Sequence, residues 1–136
     1  MPSLRFQDLR VYRAAEQLAD ELWSIVRSWD TFSQNTVGSQ LVRSADSIGA
    51  NIAEGTGRKS FKDNQRFVRI ARGSLYETQH WLRRAFIRKL LAQEDVKRLQ
   101  DLVAQLGPLV NGYLRSIGRT IADAPKDSGP RTEDNQ

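Results

Sequence analysis

Apolar positions along this chain recur at helical spacing. Val11, Ala15, Leu18, Leu22, Ile25 and Trp29 alternate steps of four and three, the mark of one buried helix face. Glu16, Asp20, Glu21 and Arg27 fall off that face and belong to water. The pattern predicts a first helix over about 8–28, with Asp8 as its N-cap. Residues 30–36, DTFSQNT, form a polar turn cluster that ends it and offers Asn35 or Thr36 as the next cap. A second helix is predicted over about 37–54, with Val37, Leu41, Ala45, Ile48 and Ile52 as its stripe. Ser44, Ser47, Gly49, Ala50 and Ala53 lie beside that stripe. Glycine inside a helix costs about 1 kcal/mol relative to alanine, so this helix is expected to touch neighbours on more than one side.

Gly55-Thr56-Gly57 stops the second helix, and one of the two glycines is expected in the left-handed conformation. Ser60 then caps a third helix, with Asp63 at the capping-box position. That helix is predicted to reach about Leu90, with Phe67, Ala71, Leu75, Thr78, Leu82 and Ala85 inward and Gly73 and Ser74 allowing tight packing. After a turn at 91–93, a fourth helix is predicted over about 94–118. Its seam is Val96, Leu99, Val103, Leu106, Val110, Tyr113 and Ile117, and Pro108 is expected to kink it. No strand-period alternation and no internal repeat is visible. The expected fold is all-α: an antiparallel up-down-up-down four-helix bundle over residues 1–119, organised around the helical hairpin Arg43–Glu77. Residues 120–136 are too polar to offset their ordering entropy and read as a disordered tail.

Composition narrows the chemistry. The 136 residues make one domain, large enough for a core without staples. No cysteine is present, which excludes disulfides, thiolate chemistry and Cys-ligated zinc. His80 is the single histidine, so any His-based metal site or catalytic triad depends on it. No stretch has signal-peptide character and none approaches the roughly 18–20 apolar residues of a membrane span. The expectation is a cytoplasmic protein with no membrane association and no cofactor. Net charge is +5 with a pI near 10.0. Residues 120–136 carry −2 of it, so the body carries +7. A compact basic body points to a polyanionic partner, most often nucleic acid.

Four sets of residues bear on function. Arg58, Lys62, Arg66, Arg69 and Arg72 are spaced four, four, three and three, which places them within about a third of the helix circumference, opposite the apolar face. With Lys59 they form a candidate phosphate-contacting stripe; the bland alternative is a solvated face or pairing with acids. Gly55-Thr56-Gly57-Arg58-Lys59-Ser60 lacks the glycine spacing and preceding strand of a P-loop, and reads better as a glycine cap followed by a serine cap. Glu77-Thr78-Gln79-His80 matches one copy of the Glu-x-x-His motif of di-iron bundles, but there is no second copy, so no metal site is expected. Asn51 and Glu54 are polar positions on a mostly apolar helix. With Arg43 and Glu77 they are read as a structural network, bridging to Arg43, Arg58 or Arg72. Trp23, Trp29, Trp81, Phe67, Phe86 and Tyr113 read as core or subunit contacts rather than base-stacking residues, with Trp81 a candidate interface anchor.

Several of these segments resemble one known family. They are Arg43-Ser44-Ala45, Ser47-Ile48, Asn51-Ile52-Ala53-Glu54-Gly55, Gly57-Arg58, Arg66-Phe67 and Ile70-Ala71-Arg72-Gly73-Ser74-Leu75 with Glu77. The opening Phe6-Gln7-Asp8-Leu9-Arg10-Val11-Tyr12 matches too. The chain is similar to the four-helix-bundle proteins encoded in intervening sequences of large-subunit ribosomal RNA genes. The accessory variability determinant of diversity-generating retroelements looks like a relative. The resemblance spans about 6–118. It implies a homopentameric ring of bundles, a basic surface suited to RNA or DNA and, through the retroelement relative, a reverse transcriptase as a partner. Gly107-Pro108 and the C-terminal tail depart from the family pattern. The functional expectation is a non-enzymatic, oligomeric nucleic-acid-binding bundle. The alternative is a protein-interaction scaffold whose arginines serve subunit or partner contacts.

Overall fold

The computed structural model describes residues 5–124. Four long helices carry the fold: α1 (Arg10–Arg27), α2 (Ser39–Thr56), α3 (Phe61–Ile87) and α4 (Gln93–Ala122). There is no strand among the described residues. α2 packs on α1 and α3, and α4 packs on α3 and α1, so each helix has two neighbours. The α1–α3 and α2–α4 pairs make no backbone contact among the described residues. One core fills the centre: Leu18 and Leu22 from α1, Leu41, Ile48 and Ile52 from α2, Val68 from α3, and Leu106 and Val110 from α4 are all fully buried.

The helix ends differ from the expected ones in instructive ways. Phe6–Asp8 is a 3-10 turn, so Asp8 does not cap α1; Leu9, in extended conformation, precedes the first helical residue. Between α1 and α2 the cap is Asp30 rather than Asn35 or Thr36. Its carboxylate accepts from the Ser33 amide at 2.9 Å and from the Ser33 hydroxyl at 2.8 Å. The short turn Thr31–Ser33 and a π-helical stretch, Gln34–Gly38, then run into α2. Gln34 reaches back to donate to the carbonyls of Val26 and Arg27, at 3.2 and 3.0 Å, satisfying open acceptors at the end of α1.

At the other end of α2, Gly55 lies inside the helix and Gly57 caps it with φ −82°. Neither glycine is left-handed. That conformation appears instead at Lys89, φ 63°, which closes α3. There Lys89 N–H donates to Phe86 O and Leu90 N–H to Ala85 O, at 3.0 and 2.9 Å, the paired bonds of a Schellman end. At the start of α3 the Ser60 hydroxyl accepts from the Asp63 amide at 3.0 Å. α4 continues unbroken through Pro108 and past Arg119 to Ala122. Residues 125–136, most of the stretch read as a tail, lie outside the described residues.

The α2–α3 seam is partly polar. Ser44 and Ser47 on α2 meet Thr78 and Ser74 on α3. The Ser74 and Ser47 hydroxyls are 3.0 Å apart, and so are those of Thr78 and Ser44. Small hydroxyl side chains let the two helices approach closely while each buried oxygen keeps a partner. Gly49, on the other side of α2, packs 3.4 Å from the Tyr12 ring of α1, measured from the place its Cβ would take. α2 therefore has close neighbours on two sides, as its glycine content implied.

Candidate nucleic-acid interface

α3 is 27 residues long, about 40 Å at 1.5 Å per residue. Asn64, Val68, Ala71, Leu75, Thr78 and Ala85 face the core. Val68, not Phe67, takes the seam position, and Phe67 is half-buried at the edge. Its ring lies between two guanidinium groups, with Arg58 4.7 Å and Arg66 4.5 Å from the centroid, within cation–π range. One acid serves the same two arginines. Asp63 accepts from Arg66 at 3.0 Å and lies 3.6 Å from Arg58, which also pairs with Glu54 at 3.1 Å. Exposed pairs of this kind contribute about 0.2–1 kcal/mol each. Arg58 and Arg66 are thus held only by weak, partly exposed pairs.

The other cations of the stripe divide in two. Arg72 is half-buried and donates to the Asn111 side chain of α4 at 3.2 Å, so it ties α3 to α4. Lys59, Lys62 and Arg69 are exposed. Among the described residues none of these three forms an ion pair. The stripe therefore presents three unengaged cations, two weakly engaged ones, and one that is structural.

The residues read as a polar network do not converge. Arg43 is exposed and forms no ion pair among the described residues. Asn51 donates to the Ser47 carbonyl and hydroxyl of its own helix, at 2.8 and 3.0 Å, and not to an arginine. Glu54 pairs with Arg58. Glu77 accepts from the Trp81 indole N–H at 3.3 Å. His80 stacks edge-on against the same indole, with centroids 4.8 Å apart. Trp81 thus lies against both polar members of the Glu-x-x-His motif, and it is half-buried within its own chain. Among the described residues no group of three or more His, Cys, Asp or Glu side chains is arranged to hold a metal, and no helix is long and apolar enough to cross a membrane. Of the aromatics read as core or subunit contacts, Trp23 and Phe86 are more than half exposed and so lie outside this chain's own core.

Residues 7–112 match the family described as 23S rRNA-intervening sequence protein. The chain belongs to that family. A crystal structure of a protein of unknown function from the S23 ribosomal protein family of Bacteroides thetaiotaomicron has the same fold. It has 22% sequence identity and a TM-score of 0.68, covering 77% of this chain and 95% of that one. No curated protein sequence matches.

The positive charge of this intervening-sequence family member is concentrated on one segment. Residues 58–89 contain ten lysines and arginines against two acids, Asp63 and Glu77. That surplus of eight exceeds the net charge of the whole chain, so the remaining residues sum to −3. The basic character continues beyond Arg72 through Arg83, Arg84, Arg88 and Lys89. Arg83, Arg88 and Lys89 are exposed. The positive field is therefore a property of one helix and its two flanks, not of the surface at large.

Proposed function

We propose that this protein is a non-enzymatic, oligomeric nucleic-acid-binding bundle whose contact surface is the outer face of α3. The observation that carries this reading is the concentration of the chain's positive surplus on residues 58–89, with Lys59, Lys62 and Arg69 exposed and without acidic partners among the described residues. Arg58 and Arg66 join them once a phosphate displaces Asp63, and Arg72 holds the helix in place. The family's association with ribosomal RNA intervening sequences agrees with an RNA or DNA partner. We further propose that the four helices, joined by short turns, run antiparallel as an up-down-up-down bundle in the cytoplasm, and that, as the family resemblance implies, five copies close into a ring with a reverse transcriptase as a candidate protein partner.

Binding of this kind is driven by charge and shape, and weakens steeply as salt rises. Gel-shift titration against a structured RNA and a duplex DNA tests it. Retarded complexes at low salt that Lys62→Glu and Arg69→Glu abolish support the proposal. Absence of any complex at low salt refutes it.

The scaffold reading draws on a separate observation. A groove of about 550 Å³ runs between α3 and α4, lined by Leu82, Phe86, Leu91, Val96 and Val103 among others. Phe32, at the α1–α2 connection, is 76% exposed. Apolar surface of this kind favours subunit or partner contact. Under this reading Arg66→Glu breaks the assembly, seen by size-exclusion chromatography with light scattering, and leaves nucleic-acid affinity unchanged.

A further inference from the structure

Gly73 lies midway along the outer face of α3, and among the described residues no atom beyond its own stretch of helix backbone comes within 4 Å of the place its Cβ would occupy. Glycine weakens a helix relative to alanine, and no close packing among the described residues compensates for it here. Its neighbours on the same line of the helix are Arg69, four residues before, and Tyr76 and His80, three and seven residues after. Tyr76 is 60% exposed, and Arg69 and His80 are exposed as well. The result is a bare patch of backbone between a guanidinium and an open phenol ring, about 10 Å apart along the axis.

We infer that a single strand of nucleic acid crosses α3 at Gly73, with a phosphate on Arg69 and an unpaired base stacked on Tyr76. This rests on the nucleic-acid reading above and adds the kind of strand and the residue that selects it. A bare glycine admits a sugar–phosphate backbone to the helix surface, where any side chain would hold it off. An aromatic ring beside it offers a platform for a base face, and every base has one. In a duplex the base faces are covered by their neighbours, so a side chain on a convex helix cannot reach them. A second copy of the same face is disfavoured, because it brings one strongly basic surface against another. Arg83, exposed about two turns beyond Tyr76, and Arg88, exposed at the cap that ends the helix, continue the track for the following phosphates.

The test uses fluorescence anisotropy with the full chain and a labelled single-stranded oligonucleotide of about 12 nucleotides, against a duplex of the same length. Tyr76→Ala is expected to weaken single-strand binding about tenfold, within the range for one lost base stack, and duplex binding less than about twofold. Tyr76→Phe keeps the ring and keeps the affinity. Gly73→Gln is expected to weaken single-strand binding while leaving the thermal midpoint unchanged or higher, so the loss cannot be assigned to unfolding. Equal losses for single strand and duplex, or no loss with Tyr76→Ala, overturn the inference while the general nucleic-acid reading stands. No binding of either probe by the unaltered chain overturns both. A change in assembly size with Tyr76→Ala also overturns it, because the face is then a contact between copies.

Discussion

Asn64 lays its side-chain oxygen against Gly55, in the space a Cβ there would take. That oxygen is buried and has no hydrogen-bond partner among the described residues, while the amide nitrogen donates to the Tyr113 hydroxyl of α4 at 3.3 Å. Asn64 therefore joins three helices at once: it sits on α3, covers the last turn of α2 and holds α4. The Phe67 Cβ lies 3.1 Å and the Asn64 carbonyl 3.2 Å from the same point. Only a residue without a side chain lets α2 and α3 meet at this angle.

Gly55→Ala is accordingly expected to destabilise the protein. Helix propensity alone favours alanine by about 1 kcal/mol, but forcing a methyl into a filled site costs roughly 1–3 kcal/mol, and here one of the opposing atoms is backbone. The expected net loss is about 1–2 kcal/mol, read as a fall of several degrees in the thermal midpoint by circular dichroism. A midpoint that rises would show that the α2–α3 junction yields more easily than its packing implies.

Gly73→Ala has the opposite expected sign. The added methyl meets nothing within 4 Å, so only the propensity term acts. A gain of about 0.5–1 kcal/mol should appear in urea unfolding as a higher midpoint with an unchanged slope. The two glycines on either side of the hairpin thus separate packing from propensity within one helix pair. A loss of stability at Gly73 would contradict the open surface assigned to it.

The contrast also shows how far the sequence could be read. Stripes such as Leu18–Leu22 and Leu41–Ala45–Ile48–Ile52 announce their own burial, because a 3.6-residue period leaves one face to fill. The cap at Ser60 was legible for a similar reason: it is a local pattern of residue types. Gly73 and Gly55 look alike in sequence, yet one faces open space and the other a neighbouring helix, and only tertiary placement distinguishes them. The same holds for Asn51, whose amide turns to the Ser47 carbonyl and hydroxyl one turn back on its own helix rather than to an arginine. DTFSQNT contains several residues able to cap, so sequence alone does not single out Asp30, and the Gln34–Gly38 π turn shifts the helix start from the predicted one. In the stripe, spacing gave the common face of the cations. It could not tell that Asp63 would occupy Arg66 and Asn111 would occupy Arg72.

Two aspartates should give opposite pH dependences. Hydrogen bonds from the Ser33 amide and hydroxyl lower the Asp30 pKa. A depressed carboxylate contributes stability above its unfolded pKa and loses it as pH falls through the folded value. Asp30→Ala should therefore lower the thermal midpoint at pH 7, with the difference from the unaltered chain closing as pH drops below the ordinary carboxylate range. At Asp46, burial and the nearby charge of Asp20 raise the pKa. Its ionised form weighs against the fold, so stability is lost as pH rises through the carboxylate range. Asp46→Asn should stabilise slightly at pH 7, by less than about 1 kcal/mol because the group is largely exposed, with no gain in acid. Thermal melts across pH 3–7 check both signs.

Salt dependence should rank the cations of α3. Each phosphate contact adds about one to the slope of log affinity against log salt, a little less on single strands. Lys62 and Arg69 have no acidic partner among the described residues, so Lys62→Ala and Arg69→Ala should each reduce the slope by roughly 0.7–0.9. Arg58 begins paired to Glu54 and Asp63, and what it gains from a phosphate is offset by the pairs it gives up. Arg58→Ala should therefore cost less affinity at low salt than either of the other two. Arg72→Ala should act differently again: by releasing Asn111 it loosens α3 from α4, lowering the thermal midpoint more than it changes the slope. Titrations at four or five salt concentrations, paired with melts of the same variants, separate these outcomes. Equal slopes for all four variants and the unaltered chain would mean that the phosphates lie elsewhere on the bundle.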